Sequence, residues 1–157
     1  MRILGIDPGL QVCGYACLQT SDEGNTLTEA GIFHTQADLP MEVRLNRIAQ
    51  DIESLIEKFR PEVAAIEQLY SHYEHPRTAI LMGHARGVIL QKCARASVEV
   101  RSFSATRIKK SITGNGRASK GQVQRTIQSI LSLSSLPEPN DVADAIAVAF
   151  CCANSII

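Results

Sequence analysis

The chain has 157 residues, 45% of them apolar and 20% charged, with 16 acidic and 16 basic side chains and no Trp. That length supports one well-cored domain, read here as residues 1–157, and is short for two of ordinary size. No apolar stretch approaches the roughly 18 residues needed to span a bilayer, and the N-terminus runs straight into Arg2 and a Gly-Ile-Asp-Pro-Gly turn without a signal-peptide core, so no membrane association and a cytoplasmic location are expected.

In chain order, residues 2–7, 12–19 and 26–35 read as three strands separated by Pro8-Gly9 and by the polar stretch SDEGN, both suited to antiparallel turns. Pro40 opens a helix in which Leu45, Ile48, Ile52, Leu55, Ile56 and Phe59 recur at helical spacing, and Pro61 closes it. VAAIE, residues 63–67, is a fourth strand. A polar segment from Gln68 to His75 leads to a helix over 76–96, and a fifth strand follows over 98–103. Ser104 is positioned to cap a short helix reaching Ile112, and Ser119, after the loop TGNGRAS, to cap another reaching about Leu133. SSLPEPN is a loop, and Asn140 or Asp141 is the expected cap of the last helix. Three strands followed by alternating helices and strands predict an α/β domain, a five-stranded mixed sheet flanked by helices.

Four carboxylates stand at the ends of apolar segments. Asp7 ends RILGID, Glu67 ends VAAIE, and Asp141 with Asp144 opens DVADAIAVAF. A charge at the tip of a buried strand is costly unless something pairs with it. Asp141 and Asp144, three apart, share one helix face. Taken singly, each acid has an ordinary explanation: a turn aspartate, a solvated strand end, a helix cap, a partner of the helix dipole. Taken together, and with strands one and four side by side, they outline a divalent-metal site able to activate water and stabilise a departing 3′ oxygen in phosphodiester cleavage.

The zero net charge hides a strong asymmetry. Residues 1–74 carry 5 basic and 12 acidic side chains, whereas residues 75–125 carry 11 basic ones and a single acid, Glu99. Such a block points to a polyanion partner. Within it Lys120, in a Gly-rich basic turn at a helix start, is placed to steady a phosphate. Tyr70, three residues after Glu67, suits base stacking or, alternatively, a lid over the core. The five cysteines include no Cys-x-x-Cys pair and read as reduced, buried thiols; His72 and His75 read as loop histidines. Gly83 and Gly87, four apart and flanked by Ile80 and Leu90, leave a small-residue groove for either internal packing or a second helix.

The motifs ILGIDPGL, AAIEQLY, GHARGV, IKKSITGNGRASKGQVQ and DVADAIAVA, in this order over nearly the whole length, closely resemble the RuvC family of bacterial Holliday junction resolvases. The resemblance implies an RNase H-like fold, a homodimer, dependence on Mg2+ with Mn2+ as a substitute, and paired symmetric nicks in a four-way DNA junction that leave 5′-phosphate and 3′-hydroxyl ends. It also implies action in recombination and repair beside the branch-migration proteins RuvA and RuvB. Carried onto this sequence, it assigns the catalytic, metal-holding acids to Asp7, Glu67, Asp141 and Asp144, and nucleic-acid contacts to Tyr70, Lys109 and Lys120. SHYEHPRTA departs from the common form of the loop after Tyr70, and AFCCANSII lacks histidines that many relatives carry. Alternatives are a related RNase H-like nuclease acting on RNA or other branched nucleic acid, an actin-like phosphotransferase, and a catalytically silent junction-binding module.

Overall fold

Five strands, with side chains alternating between two faces, build the sheet: the short apolar runs β1 (Arg2–Asp7) and β4 (Val63–Glu67), the longer β2 (Val12–Ser21) and β3 (Gly24–His34), and β5 (Glu99–Phe103). The computed structural model describes residues 1–69 and 76–155. The strands form one sheet in the order β3-β2-β1-β4-β5. Antiparallel pairing joins β3, β2 and β1; parallel pairing joins β1, β4 and β5. This is the mixed five-stranded sheet predicted. β2 and β3 run closer together than SDEGN implied, leaving only Asp22 and Glu23 between them, with Gly24 at φ 128 making the reversal.

Helices cover both faces. On one lie α1 (Met41–Phe59) and α2 (Pro76–Arg95), over Leu4, Ile6, Ala64 and Ile66. On the other lie α3 (Ala105–Thr113), α4 (Lys120–Ile130) and α5 (Asn140–Ala153), over Ile3, Ala16, Leu18, Val63 and Ala65. All five cysteines are free and buried, as read from the sequence. Among the described residues no helix is long and apolar enough to cross a membrane.

Local signals set most helix ends. The Ser104 side chain accepts from the Arg107 N–H, and Ser119 forms a capping box with Gln122. Two expectations are corrected. α4 stops at Ile130, short of Leu133, because Ser132 turns into the left-handed region at φ 49. Neither Asn140 nor Asp141 caps α5: Pro139 occupies that position with no side-chain cap, and the Asn140 Oδ1 accepts from Gln124 Nε2 at 3.0 Å. Among the described residues a Cβ at Gly83 or Gly87 would meet nothing within 4 Å, which leaves the outward of the two readings, a face open to a second helix.

Candidate active site

The alternation of the strands aims two of the acids. Ile3 and Val63 face the α5 side while Leu4, Ile6, Ala64 and Ile66 face α1 and α2, so by the two-residue period Asp7 and Glu67 both turn toward α5. The parallel β1–β4 register, with Ile6 opposite Ile66, sets the two carboxylates side by side at the C-terminal ends of neighbouring strands. Glu67 is steadied from behind. Arg86 Nη2, from α2, donates to Ser102 Oγ at 2.8 Å and its Nε reaches toward the Glu67 carbonyl at 3.5 Å, tying the ends of β4 and β5 together.

α5 brings the other two acids because glycines let it touch the sheet. A Cβ at Gly5 would collide with the Ala145 carbonyl and Ala149, and a Cβ at Gly14 with the backbone of Asp141. The helix therefore rests backbone to backbone on β1 and β2, with buried Ala145 and Ala149 against Gly5. Asp141 stands in its first turn and Asp144 at the start of the second, both beside Asp7. Lys109 from α3 and Lys120 from the start of α4 close the remaining side. All six line one cleft of about 460 Å³, together with Gln68, Leu69, Met82 and Asn140. Lys120 Nζ lies 3.6 Å from Asp144 Oδ2, and its side chain is 69% exposed. Tyr70 lies outside the described residues.

Burial and mutual repulsion raise the pKa of three of these carboxyls, Asp7, Glu67 and Asp144. For Asp7 the pKa rises from 3.8 to about 7, first because burial disfavours the charge and then because Asp144, Asp141 and Glu67 repel it, with Lys120 offsetting part. Glu67 is raised by burial and by Asp144, against Lys109 and Lys120. Asp144 is raised chiefly by burial, with Lys120 the main opposing influence and Asp141 adding to the rise. Two lysines therefore do not neutralise four acids. That excess of oxygen donors and negative charge fits a hard divalent cation, which takes carboxylate oxygens. Among the described residues no group of three or more His, Cys, Asp or Glu side chains is set to hold an ion by itself. Magnesium needs no complete protein cage, because it keeps several waters and takes phosphate oxygens beside its carboxylates.

A residue profile of the family described as crossover junction endodeoxyribonuclease RuvC matches residues 3–152. The crossover junction endodeoxyribonuclease RuvC of Rhodopirellula baltica is 46% identical over 149 residues, which are 95% of this chain and 84% of that one. The chain belongs to the RuvC family. A Thermus thermophilus RuvC structure superposes with a TM-score of 0.89 at 29% identity, covering 98% of this chain and 93% of that one. A second, of T. thermophilus RuvC in complex with Holliday junction substrate, gives 0.88 at 27% identity, with the same shares covered. The fold is RNase H-like.

In this RuvC-family chain the six charged residues of the cleft are legible in the sequence, and the residues behind them less so. Gly5 and Gly14 carried a signal, since glycine inside an apolar strand marks close approach of another backbone. Arg86 stood among many cations with nothing to distinguish it.

A pH dependence follows from Asp7. The unfolded chain releases its proton near 3.8 and the folded chain near 7, so between these values the folded state binds more protons and metal-free stability falls as pH rises. For Asp7 acting alone the loss is up to about 4 kcal/mol. Thermal unfolding in chelator from pH 4 to pH 8 checks this: Asp7→Asn should gain on the wild type as pH rises, and added Mg2+ should close the gap. Parallel curves for the two proteins would remove Asp7 as the source.

Proposed function

We propose that this chain is a divalent-metal-dependent endonuclease that resolves four-way DNA junctions by paired symmetric nicks, working as a homodimer from a single RNase H-like domain. The observation that carries the reading is the meeting of Asp7, Glu67, Asp141 and Asp144 with Lys109 and Lys120 in one cleft. Family membership and the junction held by the T. thermophilus relative support the substrate.

The four acids would hold the cation, Mg2+ with Mn2+ as substitute. When bound, it supplies Lewis-acid activation of water and stabilises charge on the phosphate and the 3′ leaving oxygen. The chain's own groups do the placing. Lys109 draws a backbone phosphate toward the acids, which would otherwise repel it. Lys120, exposed and at the N-terminus of α4, exchanges Asp144 for a phosphate oxygen there, where the first-turn N–H groups add favourable dipoles. The buried sides of Asp7 and Glu67 keep bulk water from one flank of the scissile bond.

Two equivalent strands call for two sites on a twofold axis. The face of α2 at Gly83 and Gly87, open among the described residues, with Ile80 61% exposed, supports an isologous contact there. RuvA and RuvB enter as partners through the family alone; co-sedimentation with each checks them.

The deciding experiment incubates the protein and Mg2+ with a synthetic four-way junction, a duplex and an RNA–DNA hybrid, and measures its mass in solution. Ligatable, symmetric nicks in the junction and twice the chain mass are expected. Preference for the hybrid would favour the RNA-directed alternative, and binding without cutting the silent module. In the same assay Lys109→Ala should weaken junction binding and reduce the log–log salt slope by about 0.9, one phosphate contact. An unchanged slope would remove Lys109 from the phosphate contacts.

A further inference from the structure

Outside the cleft, one charged side chain is buried without a matching charge. Arg44, on the first turns of α1, is 8% exposed, and among the described residues no carboxylate lies within ion-pair distance of it. A buried guanidinium in that state is costly unless hydrogen bonds hold it. They converge on one place. Arg44 Nη2 donates to the Leu10 carbonyl at 3.2 Å, and Nε donates to Thr35 Oγ1 at 3.1 Å. The Thr35 hydroxyl in turn donates to the same Leu10 carbonyl at 2.5 Å, while its N–H donates to the Gln11 carbonyl at 2.9 Å. Thr35 and Leu10 are themselves buried.

Leu10 and Gln11 belong to the turn joining β1 to β2, and Asp7 is the residue from which that turn springs. The front of the turn faces the cleft through Asp7 and Pro8; its back is what Arg44 and Thr35 grip. Asp7 ends its strand, so the pairing of β1 holds it from one side only, and repulsion from Asp144, Asp141 and Glu67 pushes it away from the cluster. The turn is the part of the chain that would yield. Arg44 does not act on Asp7 by charge: the cation that lowers the Asp7 pKa is Lys120.

We propose that Arg44, bridged by Thr35, is a positioning residue that clamps the β1–β2 turn and holds the Asp7 carboxylate at the place where it binds the metal. This rests on the reading of Asp7 given under Proposed function.

The test compares Thr35→Val, which keeps shape and removes the hydroxyl, with Thr35→Ser, which keeps the hydroxyl, and adds Arg44→Met. Mn2+ affinity of the DNA-free protein is measured by calorimetry, and the single-turnover cutting rate and dissociation constant are measured on a four-way junction. Thr35→Val and Arg44→Met should weaken Mn2+ binding and slow cutting, each by about 10- to 100-fold, with junction affinity unchanged. Thr35→Ser should restore both. Equal losses in Thr35→Ser and Thr35→Val, or unchanged Mn2+ affinity in Thr35→Val, would overturn the proposal. Should Arg44→Met fail to fold, the threonine pair decides by itself. A wild type that cuts no junction would defeat the proposed function only, because the Mn2+ comparison needs no substrate.

Discussion

Asp7→Asn should cut four-way junctions at least about a thousandfold more slowly than the wild type while holding them as tightly, a loss of about 4 kcal/mol of transition-state stabilisation. The amide keeps the size of the side chain and removes the charge on which a cation in this cleft depends. Asp7 stands among the other three acids, so no neighbour can substitute without moving its own strand or helix. The contacts expected to hold DNA come instead from Lys109, Lys120 and the wider basic third of the chain, none of which the change touches. Binding is measured without Mg2+ by titrating a labelled junction, and cutting by single-turnover kinetics. The fold should not suffer, since one of four repelling carboxyls is gone. A loss of binding as large as the loss of cutting would mean that Asp7 supports the DNA surface and not the chemistry.

The second large effect is expected at a residue with no side chain. Gly14→Ala places a Cβ against the carbonyl group and Cβ of Asp141, in the first turn of α5. The obstacle is mainly backbone, so nothing flexible can swing aside; either β2 or the start of the helix must shift. Overpacking of this kind costs about 1–3 kcal/mol, which for a chain of this size lowers the melting temperature by about 2–10 °C. The functional loss should exceed what the fold suffers. Asp141 rides on the displaced turn and Asp144 follows one turn on, and a misplacement on the order of 1 Å costs about 100-fold in rate. Calorimetric melting and single-turnover cutting on the same sample check both parts. An alanine variant that retains both rate and melting temperature would show that α5 does not rest on β2 at Gly14.

Much of the fold was legible because the signals that carry it are local. The apolar runs of β1 and β4, the helical stripe of α1 and the caps at Ser104 and Ser119 each depend on neighbours within a few residues. The misreadings share a cause. Asn140 and Asp141 have the chemistry of helix caps, yet Asn140 is engaged by Gln124, sixteen residues away in sequence, and Asp141 belongs to the cleft. Ser132 carries no sequence mark of a left-handed backbone, so the local pattern does not show where α4 ends. At Gly83 and Gly87 the composition allowed both an inward and an outward face, and only the docking of α2 beside α1 selects the outward one.

By itself the sequence determined that acids end two buried strands and open a helix, that the cations gather between residues 75 and 125, and, through five ordered motifs, the family. Tertiary structure alone decided that these acids share one site. Their meeting depends on the β1–β4 register, on Gly5 and Gly14 admitting α5 to the sheet, and on Lys120 reaching Asp144 from a separate helix. Those contacts join residues dozens or more positions apart, and no local period of two or 3.6 residues encodes them. The grip of Arg44 and Thr35 on Leu10 is of the same kind: an arginine on a helix looks like any surface cation until the fold closes over it.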